Sequence, residues 1–169
     1  MPPQDLIMAS KSLYESSGLL LHDYAVEKEG QEYNAASFKL NNYRIVFRVA
    51  KITPTKAGQF VTIWKRIENG PIMPFDTTDS VDFFIIGIRE NDQGQFIFPK
   101  QILVAQNYIS RDGKGGKRAM RVYPPWTQVT SPQAQKTRDW QIPYYFEIST
   151  NNQEQIKRLS ALFHLSTNA

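Results

Sequence analysis

The chain of 169 residues has no cysteine, which removes disulfides, thiolate metal sites and cysteine nucleophiles from consideration. That suits a reducing compartment, and a cytoplasmic location is the expectation. Histidine is almost as scarce. His22 and His164 stand far apart, without the close pairing of a histidine zinc site. No apolar run approaches the roughly 20 residues that cross a bilayer. The N-terminal MPPQDLIMAS lacks the basic start and apolar stretch of a secretory signal. The motifs GxxxxGK(S/T), GxGxxG and GxSxG are all missing, so nucleotide cradles and a nucleophile elbow find no support. Ser131 has no identifiable His partner, which leaves no basis for a Ser–His hydrolase. Without repeats or low-complexity tracts, the chain reads as one soluble domain over residues 1–169 with no membrane partner.

What is present is an uneven distribution of charge. The net charge of +4 hides it. Residues 33–67 hold Lys39, Arg44, Arg48, Lys51, Lys56, Lys65 and Arg66 and no acid, while residues 99–138 hold eight more cations against Asp112 alone. Between them, residues 68–98 carry six carboxylates and only Arg89. Thus 15 of the 20 Lys and Arg lie in two blocks around an acidic one. Brought to one face, the basic blocks would attract a polyanion. The acidic block is either the outer surface of a hairpin or a carboxylate cluster for a metal ion.

Hydrophobic spacing sets the architecture. Leu6, Ile7, Leu13 and Tyr14 lie near helical spacing over residues 4–17, ahead of a stop at Gly18. Residues 19–34 read as irregular. Alternation predicts strands over 36–40 and 43–52 about an Asn41-Asn42 turn, and over 59–67 after a turn at 53–58. In the strand over 43–52, Ile45, Phe47 and Val49 form a core face, and Arg44 and Arg48 lie on the opposite one. In the strand over 59–67, Phe60, Thr62, Trp64 and Arg66 share a face. Residues 69–79 read as a loop, 81–88 as a strand buried on both faces, and 91–94 as a turn. A short strand over 95–98 ends at Pro99, and a short helix fits 101–108. A strand at 119–123 follows a basic glycine loop. Ser131 and Pro132 open a helix, 144–148 is extended, and Asn151 or Asn152 caps a last helix. The expected fold is α+β, with a central mostly antiparallel or mixed sheet flanked by helices.

Several segments carry chemistry. Phe47 to Arg66 interleaves cations with aromatics, the combination that holds phosphates and stacks bases, and no carboxylate lies within it to neutralise it. Residues 114–121 could grip phosphate through glycine N–H groups, or simply be a solubilising hairpin tip. Tyr123 to Trp126 and Trp140 to Tyr145 either stack bases or pack as rigid corners. A further segment pairs Asp82, opening a buried strand, with Lys100, ending the return strand. Metal-dependent nucleases place a carboxylate and an acid two before a lysine on adjacent strands, where the acids hold Mg²⁺ and the lysine steadies charge at the phosphate. Here that second position is Phe98, which cannot bind metal. Asp76, Asp79, Glu90 and Glu32 are the candidates to replace it.

At these residues the chain resembles the MepB family of small bacterial proteins. The resemblance rests on FRVAKITPTKAGQFVTIWKR (47–66), DFFII (82–86), GQFIFPK (94–100), KRAMRVYPPW (117–126) and the helix from Ser131 to Trp140 with Gln141. It implies a fold related to restriction-endonuclease-like nucleases and a role with nucleic acid, and it places Asp82 and Lys100 at the catalytic positions. The leading expectation is a sequence-independent binder of DNA or RNA with a degenerate nuclease-like fold. Its phosphate contacts would be Arg44, Arg48, Lys51, Lys65, Arg66, Lys100, Lys117, Arg118 and Arg121 on a basic sheet face, without a required cofactor. One alternative is a Mg²⁺-dependent phosphodiesterase built on Asp82 and Lys100. Another is a binder of an acidic protein or small anion.

Overall fold

A computed structural model describes residues 1–90, 93–148 and 152–167, without the side chains of 165–167. The N-terminal helix α1 (Gln4–Ala9) continues through one wide turn at Ser10–Tyr14 and one tight turn at Glu15–Ser17. Gly18 stops it at φ +81°, a left-handed conformation that a glycine adopts without a Cβ clash. Residues 19–34, expected to be irregular, contain strand β1 (Leu21–Val26). It is a mostly exposed edge strand that bulges between His22 and Ala25, with Asp23 at φ +56°. A strand half in water whose register shifts midway offers no alternation to read.

The hairpin of β2 (Ala36–Leu40) and β3 (Tyr43–Val49) turns at Asn41, φ +54°, as its asparagines predict. The next two expected strands are each broken. The chain leaves β3 at Ala50 and enters β4 (Lys51–Ile52) in a different sheet. Likewise β5 (Gln59–Thr62) gives way at Ile63 to β6 (Trp64–Arg66), whose partner β7 (Ile72–Pro74) lies in the region read as a loop. Then β8 (Phe83–Ile88) and β9 (Gly94–Pro99) form a hairpin buried throughout. The acidic block is therefore not an outer hairpin surface. Of its described carboxylates, Glu68, Asp76, Asp79 and Asp82 stand before β8, and Glu90 lies in the connection between β8 and β9. The expected turn at Asn91 and Asp92 lies outside the described residues.

Helix α2 (Lys100–Ala105), β10 (Ala119–Val122), α3 (Pro132–Gln141), β11 (Tyr145–Glu147) and α4 (Gln153–Thr167) complete the chain. Ser131 Oγ accepts from the Ala134 N–H at 3.1 Å, capping α3. Asn152 Oδ1 accepts from the Glu154 N–H at 2.8 Å, capping α4; Asn151 lies outside the described residues.

The central sheet runs β1-β2-β3-β8-β9-β11. Only the β3–β8 pair is parallel, so the sheet is mixed and the fold is α+β. One face packs Phe47, Phe83 and Ile85 against Leu6, Tyr14, Leu159 and Phe163 of the N- and C-terminal helices. The other packs Val46, Phe84, Phe96 and Phe98 against Leu103 of α2 and against Val61, Met120 and Val122. Those last residues come from a second, three-stranded antiparallel sheet, β10-β5-β4. Two glutamines close open sheet edges. Gln141 of α3 accepts from the Tyr123 N–H at 2.8 Å and donates to the Arg121 carbonyl at 3.0 Å. Gln155 of α4 does the same for both main-chain groups of Glu147. Each side-chain amide stands in for a missing strand.

Candidate nucleic-acid interface

The small sheet has an apolar inner face and a polar, aromatic outer one. Alternation along β5 sends Val61 into the core and leaves Phe60 and Thr62 only partly covered. Phe60 is the partner of Lys51 in β4 on one side and of Arg121 in β10 on the other. Partners directly across a ladder point to the same face, so a cation, an aromatic ring and a second cation stand in one row. The Arg121 guanidinium lies 5.9 Å from the Phe60 ring centre. Lys51 Nζ sits 4.9 Å above the ring of Tyr33, which packs 6.3 Å from Phe60. Gly58 shapes the β4–β5 turn at φ +81°. A Cβ there would come within 2.8 Å of the Val122 carbonyl and strike the Tyr123 ring, so the turn can sit flat on β10 only as glycine.

Lys51 belongs to the first basic block and Arg121 to the second, so tertiary structure does bring members of both blocks to one face. It also supplies acids that sequence proximity concealed. The segment after β1 places Glu32 3.5 Å from Lys51, Glu29 3.1 Å from Arg66 and Glu27 3.7 Å from Arg48. The block free of acids in sequence is thus partly neutralised in space. Among the described residues, Arg121, Lys117 and Arg118 form no ion pair. Arg121 is steadied by donating to Thr53 Oγ1 at 2.9 Å and to the Ala57 carbonyl at 3.1 Å. Lys117 is exposed over the Tyr108 ring at 4.9 Å, and Arg118 is exposed at the start of β10.

The expected basic face on β3 is not a surface. Arg48 keeps only 4 % of its exposure, because the sheet is covered on both sides. Burial pulls its pKa down, with Glu27 opposing. Arg44 is exposed, but it begins β3 while Lys51 lies past its end, roughly 20 Å away for a strand of this length. Arg44 therefore does not join the Lys51–Phe60–Arg121 row. Lys65 is taken up by an ion pair with Asp79 at 2.7 Å.

Arg48 forms the floor of a cleft of about 560 Å³ beside that row, lined by Thr62, Trp64, Phe75, Glu27 and Arg66 among others. Sequence reasoning missed Glu27, Glu29, Tyr33 and Phe75 as members of this region. The aromatic character of Tyr33 and Phe75 was visible, but nothing local says that their segments fold onto β5 and β6.

Asp82 and Lys100 are neighbours in the backbone, where the Lys100 N–H donates to the Asp82 carbonyl at 3.0 Å. Their side chains diverge. Asp82 Oδ2 accepts from the Arg44 N–H at 2.8 Å. Lys100 Nζ donates to the carbonyls of Thr77 at 2.8 Å and Asp79 at 2.5 Å. No ion pair joins them. Phe98 is fully buried, stacked 5.4 Å from Phe96. The four substitute acids are engaged elsewhere. Asp76 accepts from Ser110 Oγ, Gly113 N–H, Thr78 Oγ1 and Thr78 N–H at 2.6 to 3.0 Å. Those bonds, the Ser110 hydroxyl foremost, hold its carboxyl far below the usual carboxylate range. Asp79 binds Lys65 and the Asp76 N–H, Glu90 accepts from Gln59 and Trp126, and Glu32 meets Lys51. Among the described residues no three metal-ligating side chains gather. The arrangement of these acids does not fit a Mg²⁺ site. The same residues also contain no helix long and apolar enough to cross a membrane.

The model of the MepB-like family matches residues 27–147. The chain belongs to the MepB-like family. A solved structure described as the crystal structure of MepB shares 34 % identity and a TM-score of 0.72, over 77 % of this chain and 88 % of that one. The MepB-like region contains the small sheet, the cleft, Asp82 and Lys100. It leaves out α1 and α4, which cover the opposite side of the central sheet. A bacterial homing endonuclease, I-Ssp6803I, overlays at 11 % identity and a TM-score of 0.48, over 81 % of this chain and 83 % of that one. That overlay is too loose to assign anything to this MepB-like chain. No curated protein matches the sequence.

Proposed function

We propose that this chain binds single-stranded nucleic acid across the outer face of β4–β5–β10. The observation that carries the reading is the row Lys51–Phe60–Arg121, set in register over three adjacent strands with Tyr33 beside it. Partly covered aromatic rings offer stacking surfaces to unpaired bases, and flanking cations meet the phosphates between them. Lys117 and Arg118 extend the positive edge along β10, and Trp64 and Arg66 continue the strip past Ile63. A duplex hides its bases and would gain only the phosphate contacts, so unpaired strands are preferred. Contacts of this kind are largely indifferent to sequence and weaken steeply with salt. In this reading Asp82 and Lys100 clasp the strand start to the loop before it, and cleavage is not part of the function.

Fluorescence polarisation with single- and double-stranded DNA and RNA, in EDTA over a salt series, tests it. The expected result is saturable binding of single strands with a steep negative salt slope, and about tenfold weaker binding by Phe60→Ala. Equal binding of duplex, or no loss on Phe60→Ala, overturns the stacking surface. Absence of binding at low salt overturns the function and leaves an acidic protein or small anion as partner. Adding Mg²⁺ or Mn²⁺ to the same samples then asks whether any strand is cut.

A further inference from the structure

The cleft beside the strip holds a pair of groups that the fold leaves incomplete. Arg48 has a side chain only 5 % exposed, yet its guanidinium makes one hydrogen bond, from Nη1 to the Phe47 carbonyl at 2.8 Å. A guanidinium carries five N–H donors. Its carboxylate neighbour, Glu27, stands at 3.7 Å, beyond hydrogen-bond length. The Glu27 carboxylate accepts no hydrogen bond among the described residues. The donors of Arg48 that the protein does not engage open onto the cleft, where water or a ligand meets them. Both groups line the cleft, with Trp64 and Phe75 in its walls. Of the other cations lining it, Arg66 is paired with Glu29 and Lys65 with Asp79, while Lys28 is exposed at the rim and forms no ion pair among the described residues.

We propose that this cleft is a nucleobase pocket selective for guanine. The two groups sit side by side, a fork of two donors next to a fork of two acceptors. Read around its rim, guanine presents N7 and O6 as acceptors on the Hoogsteen edge and then N1–H and the 2-amino group as donors on the adjoining Watson–Crick edge. Arg48 meets the first pair, the usual bidentate contact of arginine with guanine, and Glu27 meets the second. Adenine, cytosine and thymine or uracil alternate or invert these roles and leave Arg48 or Glu27 facing a like partner. The lining carries nearly balanced charge, which suits a neutral polar ring better than a phosphate. The aromatic walls suit its flat faces. Thr62 and Trp64 follow Phe60 on the same face of the chain, so a base here continues the path of a strand bound on the strip. In that form the pocket rests on the nucleic-acid reading, while a free guanine nucleotide would offer the same chemistry.

The test compares a short oligothymidine with the same strand carrying one central guanine or one central adenine, and separately titrates GMP and AMP. Glu27 is the residue to change, because its side chain is 38 % exposed and Glu27→Gln keeps its size. The guanine strand should bind on the order of tenfold tighter than the other two. Glu27→Gln should abolish that preference and leave oligothymidine binding intact. If all three strands bind alike, the pocket is overturned and the strip stands. If no strand binds but GMP does, in preference to AMP and sensitive to Glu27→Gln, the pocket stands with a free nucleotide as its ligand and the nucleic-acid function falls. If neither strands nor GMP bind, both fall.

Discussion

At the corner where residues 75–82 meet α2 and residues 110–113, polar side chains bond to one another and to main chain. On the outer face of β4–β5–β10 and in the cleft beside it, side chains of the same kinds remain partly open. The corner contains Asp76 with four hydrogen bonds, Asp79 with Lys65, Lys100 on two carbonyls and Asp82 on the Arg44 N–H. The outer face contains Lys51 and Arg121 around Phe60, and the cleft holds a buried Arg48 with one hydrogen bond. A charge whose bonds are complete contributes to holding the fold. A charge with open donors can gain more by meeting a ligand. The corner with the residue types of a catalytic site is thus built as a clasp, and the plainer strand surface is the better candidate for binding.

The contrast is broken most severely by forcing the corner toward a nuclease pattern. Phe98→Glu restores an acid two before Lys100, but it removes a fully buried ring and inserts a charge among Phe96, Trp140 and Tyr144. The expected loss is about 4 kcal/mol or more, read as a Tm drop of roughly 10 °C or greater. A stable Phe98→Glu protein that cleaves nucleic acid with Mg²⁺ would show that the corner is a disabled active site instead.

Asp76→Asn comes next. The folded-state pKa of Asp76 is depressed, so its contribution to stability is fully present above its unfolded value of about 4 and is lost as pH falls below that. Thermal melts should show the wild-type Tm falling from pH 5 to pH 3 and a flatter profile in Asp76→Asn, which starts lower at pH 7. Parallel profiles would mean that the Ser110, Gly113 and Thr78 bonds do not favour the charged form.

On the open face the effects shift from stability to binding. Arg121→Ala should weaken single-strand binding several-fold and make the salt slope shallower by about one charge. Its Tm should move little, since the hydrogen bonds it loses are at the exposed turn over residues 53–57. The smallest effect is expected from Glu32→Gln, which frees Lys51 from its partner at 3.5 Å. Stability should change by less than about 1 kcal/mol, while polyanion affinity rises slightly and the salt slope steepens. Weaker binding by Glu32→Gln would show that Glu32 positions Lys51 instead of competing for it.

Local pattern was enough for the strongly patterned elements. The uninterrupted apolar run gave β8, the Asn41-Asn42 pair gave the β2–β3 turn, and Ser131-Pro132 gave the start of α3. Each of these depends on near neighbours in the chain. Alternation also put Phe60, Thr62 and Trp64 on one face and the core residues Val61 and Ile63 on the other. It did not reveal β1 or β7, which are short, partly exposed strands formed by their partners. Nor did it show that the runs over 43–52 and 59–67 each change sheets midway, because an alternating run looks the same whether it keeps one partner or switches to another.

For the candidate site, the sequence by itself determined the ingredients: no cysteine chemistry, two basic blocks, aromatics interleaved with the first of them, and phenylalanine where a nuclease needs an acid. Only the tertiary structure decided which cations remain open. It brought Lys51 and Arg121 to either side of Phe60, buried Arg48 under a second layer, and delivered Glu27, Glu29 and Glu32 from a segment with no sequence tie to their partners. The reason is physical. Composition and spacing fix which charges a chain carries, but neutralisation depends on distances of a few ångströms, and those are set by how separate strands stack.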